Sequence, residues 1–219
     1  MTAPITLLIF GSRDATIETN IARVLDVTCP DRVVHGACGL DENDPIDPDR
    51  MKGADGIGHR LASARGIMVD LFPAAWKRLG RAAGMARNRE QYRLGRPVLA
   101  AAQVTGRVGS PISVGSAGML RICREGIRGK NRQVLYANPC PVVVYRDDGV
   151  EPDATPLRTM RFLHALFQDD RLVAPWHAVN AWKKGEAERD EVLAALTYAA
   201  DGSRWAPWIE AVAATVRAT

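Results

Sequence analysis

Residues 5–14 read ITLLIFGSRD. The stretch 5–10 carries no charge, is too short for a helix, and stops at Gly11-Ser12. Such a run reads as a strand buried on both faces, the pattern of a parallel sheet covered by helices. Downstream, residues 14–27 carry Ile17, Ile21, Val24 and Leu25 at helical spacing. Residues 32–35 read as a second short strand, followed at once by Gly36.

The alternation continues. Residues 37–52 are acidic, contain Pro45 and Pro48, and read as a loop long enough to be a lid or binding loop. Helical spacing resumes over 53–66, and 67–72 reads as a third strand. A basic helix spans 81–94, and an Ala-rich fourth strand spans 98–104. A Gly/Ser/Pro loop over 106–115 leads into a helix over 116–126 and a fifth strand over 133–137, with 141–145 as a candidate sixth. Strand and helix in alternation predict an α/β fold, a Rossmann-like doubly wound parallel sheet with right-handed crossovers. Ligands of such sheets bind beyond the C-terminal strand ends, where Gly11, Gly36 and Gly115 all fall.

Past residue 148 the character changes. Asp147-Asp148-Gly149 and Glu151-Pro152-Asp153 read as a linker, and helix-like stretches follow over 157–168, 175–184, 186–198 and 206–218. The division expected is a nucleotide-binding domain over 1–147 and a helical C-terminal appendage over 148–219. Trp176, Trp182, Trp205 and Trp208 lie in this lobe, as core or interface anchors. The lobe is a candidate surface for a partner or for self-association into a homodimer.

Composition supports this class. Of the 219 residues 47% are hydrophobic and only 6% aromatic, as expected for helices on a parallel sheet. No apolar run reaches transmembrane length and no basic stretch precedes the first apolar segment, so a cytoplasmic protein is expected. Cys29, Cys38, Cys123 and Cys140 form no C-x-x-C pair and read as reduced thiols without a metal site. No cofactor is expected. The net charge of +4 is unevenly spread. Lys77, Arg78, Arg81, Arg87, Arg89, Arg93 and Arg96 face the single acid Glu90 in one stretch. Arg121, Arg124, Arg128, Lys130 and Arg132 form another. These are either solvated helix faces or anion-binding surfaces.

Several segments could carry chemistry. Gly11-Ser12-Arg13-Asp14 offers close backbone approach, a hydroxyl and a guanidinium to a phosphate at a helix N-terminus; equally, Asp14 could simply cap the helix. Gly53-Ala54-Asp55 opens the next helix, with Asp55 as cap, ribose ligand or general base. Ser113-Val114-Gly115-Ser116-Ala117-Gly118 has the makings of a cradle of backbone N–H groups. Neither G-x-x-x-x-G-K-[ST] nor G-x-G-x-x-G occurs where it would be needed, so the sequence does not support ordinary P-loop or dinucleotide-dehydrogenase chemistry.

The order IFGSRD, VVHGAC, GAD, LFPAAWKRLGRAAGMARN and GSAG, over residues 5 to about 136, resembles the YspA-like branch of the SLOG superfamily. That superfamily also holds the Lonely Guy phosphoribohydrolases and the DprA-type DNA-binding proteins. The most specific piece runs from Phe72-Pro73-Ala74-Ala75-Trp76 through Gly84-Met85-Ala86-Arg87-Asn88. The resemblance implies a nucleotide-derived ligand at Gly11, Ser12, Arg13, Gly36, Gly53, Asp55, Arg87, Asn88, Gly115, Ser116 and Gly118. Arg87 and Asn88 fall where the Lonely Guy enzymes place an essential arginine. Those hydrolases carry a catalytic glutamate in a Pro-Gly-Gly-x-Gly-Thr-x-x-Glu loop. Here Met119 replaces the threonine, Ile122 stands at the glutamate position, and Glu125 lies almost a turn later.

Three readings follow. The first is a binding module that senses or sequesters a nucleotide-derived small molecule. The second is an N-glycosidase releasing a base from a nucleoside monophosphate, with Asp55, Arg87 and Glu90 as catalytic candidates and Asp14 as another carboxylate. The third is DNA or RNA binding through the basic helix. No membrane partner is expected.

Overall fold

The structure, a computed structural model, describes residues 4–128, 134–136, 139–167 and 169–219. Lys130, Arg132, both ends of the stretch 133–137 and the last residue of 157–168 lie outside them.

Five strands form one parallel sheet: β1 (Thr6–Gly11), β2 (Arg32–His35), β3 (Met68–Leu71), β4 (Leu99–Gln103) and β7 (Val142–Tyr145), in the order β3-β2-β1-β4-β7. The chain first winds from β1 out to β3, then returns and builds β4 and β7 on the other side. This is a Rossmann-like α/β fold. Alternation along each strand decides the layers. Leu7, Ile9, Val33, Leu99, Ala101, Val143 and Tyr145 point to one face, and Leu8, Phe10, Val34, Ala100, Ala102, Val142 and Val144 to the other. On the first face pack α1 (Thr19–Thr28) and α2 (Gly53–Ala64); on the second lie α4 (Ala83–Gly95) and α5 (Val114–Glu125). A short α3 (Trp76–Leu79) precedes α4.

The C-terminal lobe covers the first face. It consists of α6 (Pro156–Phe167), α7 (Val173–Lys183), α8 (Arg189–Ala200) and α9 (Ala206–Ala218). Trp205, Trp208, Ile209, Val212 and Val216 share one core with Ile21, Leu25, Val143 and Tyr145. Arg23 of α1 grips Glu210 of α9 with both guanidinium nitrogens, and Arg204 reaches the Thr28 carbonyl. Among the described residues, no helix is long and apolar enough to cross a membrane.

Three local readings are corrected. The fifth parallel strand is 142–145, not 133–137. Val134–Tyr136 (β6) instead pairs antiparallel with Ile127–Arg128 (β5) in a separate small ribbon. Both stretches are apolar, and Val142–Tyr145 is the one that lies beside β4, with every residue buried. Helix α1 starts at Thr19, not at Asp14. β-Branched Thr16 and Ile17 disfavour early helix, and Ala15 turns back onto the Ser12 carbonyl. Asp14 is therefore no helix cap; its carboxylate accepts from the Thr105 hydroxyl at 3.4 Å. Finally, the stretch read as a linker is a strap. Asp147 accepts from the Gly106 N–H (2.6 Å), Asp148 from Val108 (2.8 Å) and Glu151 from Gly109 (3.0 Å).

Candidate functional site

The direction of winding reverses between β1 and β4, and beyond their C-terminal ends neither crossover closes the sheet. The Ser12 N–H bonds the Gln103 carbonyl at 2.9 Å, so the two strand ends stay together while their loops diverge. Between the loops lies a cleft of about 750 Å³. Its lining includes Gly11, Ser12, Arg13, Asp14, Gly36, Asp55, Arg87, Asn88, Gly115 and Ser116, and thus ten of the thirteen residues named from sequence.

The other three stand elsewhere. Glu90 is exposed on α4 and does not line the cleft. It sits on the turn after Arg87, rotated to the solvent side. Gly53 and Gly118 are spacers behind the wall. A Cβ on Gly53 would meet the Ser12 carbonyl oxygen at 2.1 Å, and one on Gly118 would meet the Met85 methyl at 2.4 Å.

The wall on α4 is built around Arg87. Its guanidinium donates to the Gly36 carbonyl, its Nε to Asn88 Oδ1 (3.0 Å), and its Nη1 lies 3.6 Å from Asp55 Oδ2. Asp55 in turn accepts the Cys38 N–H at 3.0 Å. Asn88 Nδ2 donates to the Gly115 carbonyl at 3.1 Å, which ties α4 to the start of α5. Gly36 leaves room for this guanidinium: a Cβ would fall 1.4 Å from Arg87 Nη1, so a larger residue would displace it. Burial pushes the Asp55 carboxyl above the ordinary range, and the Arg87 charge and the N–H groups of Cys38 and Gly36 pull it back.

The opposite wall is held by hydroxyls. Ser116 Oγ donates to the Gly11 carbonyl (2.9 Å), and Ser12 Oγ accepts the Thr105 N–H (3.0 Å). The Ser113 side chain caps α5 at the Ser116 N–H, and its carbonyl takes the Ala117 N–H. The N–H groups of Val114 and Gly115 have no partner among the described residues, and both residues line the cleft. The loop before α5 is fixed by Arg146, a fully buried guanidinium that bonds Glu151 (2.6 Å), the Thr105 carbonyl (3.0 Å) and the Ser110 carbonyl (2.5 Å).

The long acidic insert has a structural task. Glu42 binds Arg78 through both carboxylate oxygens (3.0 and 2.9 Å), and Asp44 meets Arg50 (2.8 Å) and Lys77 (3.3 Å). The buried Asp41 accepts the Lys77 N–H at 3.1 Å. Two of the seven cations of the first basic stretch are thereby neutralised, and Arg87 is used inside the wall. Arg81 and Arg13 are exposed, line the cleft, and have no ion pair among the described residues. Trp76, half-exposed, forms part of the rim.

Sequence reading missed Arg146, Gln91 and Thr105. Nothing local marks Arg146, whose partners lie up to 41 residues away. Gln91 had a signal: it follows Gly84, Arg87 and Asn88 at helical spacing on one face.

Beneath Gly36 lies a histidine pair. His35 is fully buried; its Nδ1 accepts the Ala37 N–H at 3.1 Å, which puts the proton on Nε2, facing His59 Nδ1 at 3.2 Å. Burial, reinforced by the His59 and Arg87 charges, lowers the His35 pKa from 6.5 to about 3. The unfolded chain takes up this proton near pH 6.5 and the folded chain only near pH 3. Stability present above pH 6.5 is therefore lost as pH falls. Between pH 6.5 and 5, above the ordinary carboxylate range, His35 alone is expected to contribute a loss of about 2 kcal/mol at roughly 1.4 kcal/mol per pH unit. Urea unfolding at steps across that range checks it, and a flat profile would contradict a neutral buried His35.

Comparison with protein-family models, curated proteins and solved structures finds no match to this chain.

Proposed function

We propose that the chain binds a nucleotide or nucleotide-derived small molecule in the cleft at the ends of β1 and β4, as a module that senses or sequesters it. One observation carries this reading. The guanidinium groups of Arg13 and Arg81, without an ion pair among the described residues, share one cleft with N–H groups at the start of α5 that have no partner among them either. Fixed N–H dipoles at a helix N-terminus together with bidentate cations suit a phosphate. The resemblance to the SLOG superfamily, carried by residues 72–88 and the glycine turns, supports the same ligand class.

Calorimetric titration with nucleoside monophosphates tests it. Arg13→Ala and Arg81→Ala are each expected to weaken binding about tenfold, the worth of a charge-assisted hydrogen bond. Stability should move by less than about 0.5 kcal/mol, because neither side chain has a partner to lose among the described residues. Absence of binding by every nucleotide tried would overturn the reading.

A hydrolytic second reading rests on Asp55, a carboxyl that lines the cleft with a raised pKa. Its Oδ2 is already occupied by the Cys38 N–H and faces Arg87. Those contacts favour a structural carboxylate, so binding is the first reading. Chromatography for free base after incubation with nucleoside monophosphates separates the two, and Asp55→Asn must abolish any release for the hydrolytic reading to hold.

A further inference from the structure

The floor of the cleft differs from its rim. Phe10, Val104 and Met119 are buried residues of the core beneath the sheet's second face, and each also lines the cleft. Among them sits Gln91, 1% exposed. Its Nε2 is buried and has no hydrogen-bond partner among the described residues. Every other polar side chain on this face of α4 is engaged: Arg87 with Gly36 and Asn88, and Asn88 with Gly115. A carboxamide so placed carries an unmet desolvation cost, because buried polar groups are almost always satisfied.

The cleft thus has a polarity gradient. Arg13, Arg81 and the start of α5 stand at the rim, with apolar side chains and the Gln91 Nε2, unpartnered among the described residues, at the floor. Small-molecule sites are commonly apolar pockets with a few placed polar groups that read orientation. A ligand with a phosphate at one end and a planar heteroaromatic ring at the other matches both ends.

We propose that Gln91 is a specificity-determining residue: the apolar floor seats the heteroaromatic base of the ligand, and the Gln91 carboxamide bonds an acceptor or donor–acceptor pair on its edge. This rests on the nucleotide-binding reading above and adds which end of the nucleotide enters first. The ligand class narrows to base-bearing phosphates, as opposed to sugar phosphates. An edge with an acceptor beside a donor satisfies both halves of the carboxamide.

Gln91→Met, which keeps length and volume, tests it with two measurements on the full chain. Thermal unfolding of the ligand-free variant should show unchanged or raised stability, since an unmet polar group is removed. A residue with a merely structural hydrogen bond would give a loss. Calorimetry should then show affinity for at least one of the adenosine, guanosine, cytidine and uridine monophosphates falling about tenfold or more, with ribose 5-phosphate binding both proteins alike. If nucleotides bind the wild type and Gln91→Met equally well, the assignment of Gln91 fails while nucleotide binding stands. If neither ribose 5-phosphate nor any nucleotide binds the wild type, the nucleotide reading itself fails, and this assignment with it.

Discussion

Arg87→Met is expected to cost about 3–5 kcal/mol at pH 7, the range for removing one partner of a buried ion pair. That is a third or more of the stability of a protein near 10 kcal/mol. The loss comes from what remains behind. Asp55 is buried, its Oδ2 lies 3.6 Å from Arg87 Nη1, and the Gly36 carbonyl also loses its donor. Arg87 is the charge that pulls the Asp55 pKa down against burial. Without it the folded-state pKa rises further above the unfolded value. A group raised in the folded state contributes most below its unfolded pKa and loses that contribution as pH rises. The deficit of the variant should therefore shrink from pH 7 toward pH 5, and Asp55→Asn in the same chain should recover part of it. Denaturant unfolding at both pH values measures this. A loss below about 1 kcal/mol, equal at both, would contradict a folded-state ion pair.

Gly53→Ala is the second large effect, expected at about 3 kcal/mol or more. Gly53 has φ of +57°, and a Cβ there would sit 2.1 Å from the Ser12 carbonyl oxygen and 2.6 Å from the Arg13 carbonyl. The left-handed conformation costs a non-glycine residue about 1–2 kcal/mol, and overpacking adds about 1–3 kcal/mol. The obstacle is backbone rather than a flexible side-chain end, so relief requires moving the turn after β1. The Ala54 N–H bond to the Ser12 carbonyl, 3.1 Å, would be strained by the same movement. Gly53 thus acts on the site from behind, by letting α2 begin directly against the Gly11-Ser12 turn. A variant as stable as wild type would contradict that packing.

The sheet was legible because its strands are short, mostly apolar and mostly followed or preceded by glycine. Residues 5–10, 32–35 and 98–104 coincide closely with β1, β2 and β4. Ala100, Ala101 and Ala102 lie in β4 although alanine favours helix. Burial on both faces between two helix layers overrides the propensity. The strand at 133–137 was misplaced because apolar, β-branched content does not tell a sheet strand from a two-stranded ribbon. Pairing between segments far apart in the chain makes that choice, and it leaves no local mark.

The cleft was legible as a set of glycine turns at strand ends, and less so as chemistry. Arg87 and Arg13 look alike in sequence, yet one is a strut inside the wall and the other is free at the rim. The difference lies in Asp55 and Gly36, which meet Arg87 only across the fold. The acidic insert at 41–49 could not be assigned for the same reason. Its partners Lys77 and Arg78 are more than 30 residues away, and pairing with them removes part of the basic character that the sequence displays.

Amide chemical-shift mapping during titration with a nucleoside monophosphate tests ligand binding at the β1–β4 strand ends most directly. Saturable shifts are predicted at Ser12, Gly36 and Gly115, together with the Gln91 side-chain amide, and these should vanish in Arg13→Ala/Arg81→Ala. Shifts confined to the exposed face of α4 that carries Arg89 and Arg93, or no saturable shifts at all, would contradict a nucleotide site in the cleft.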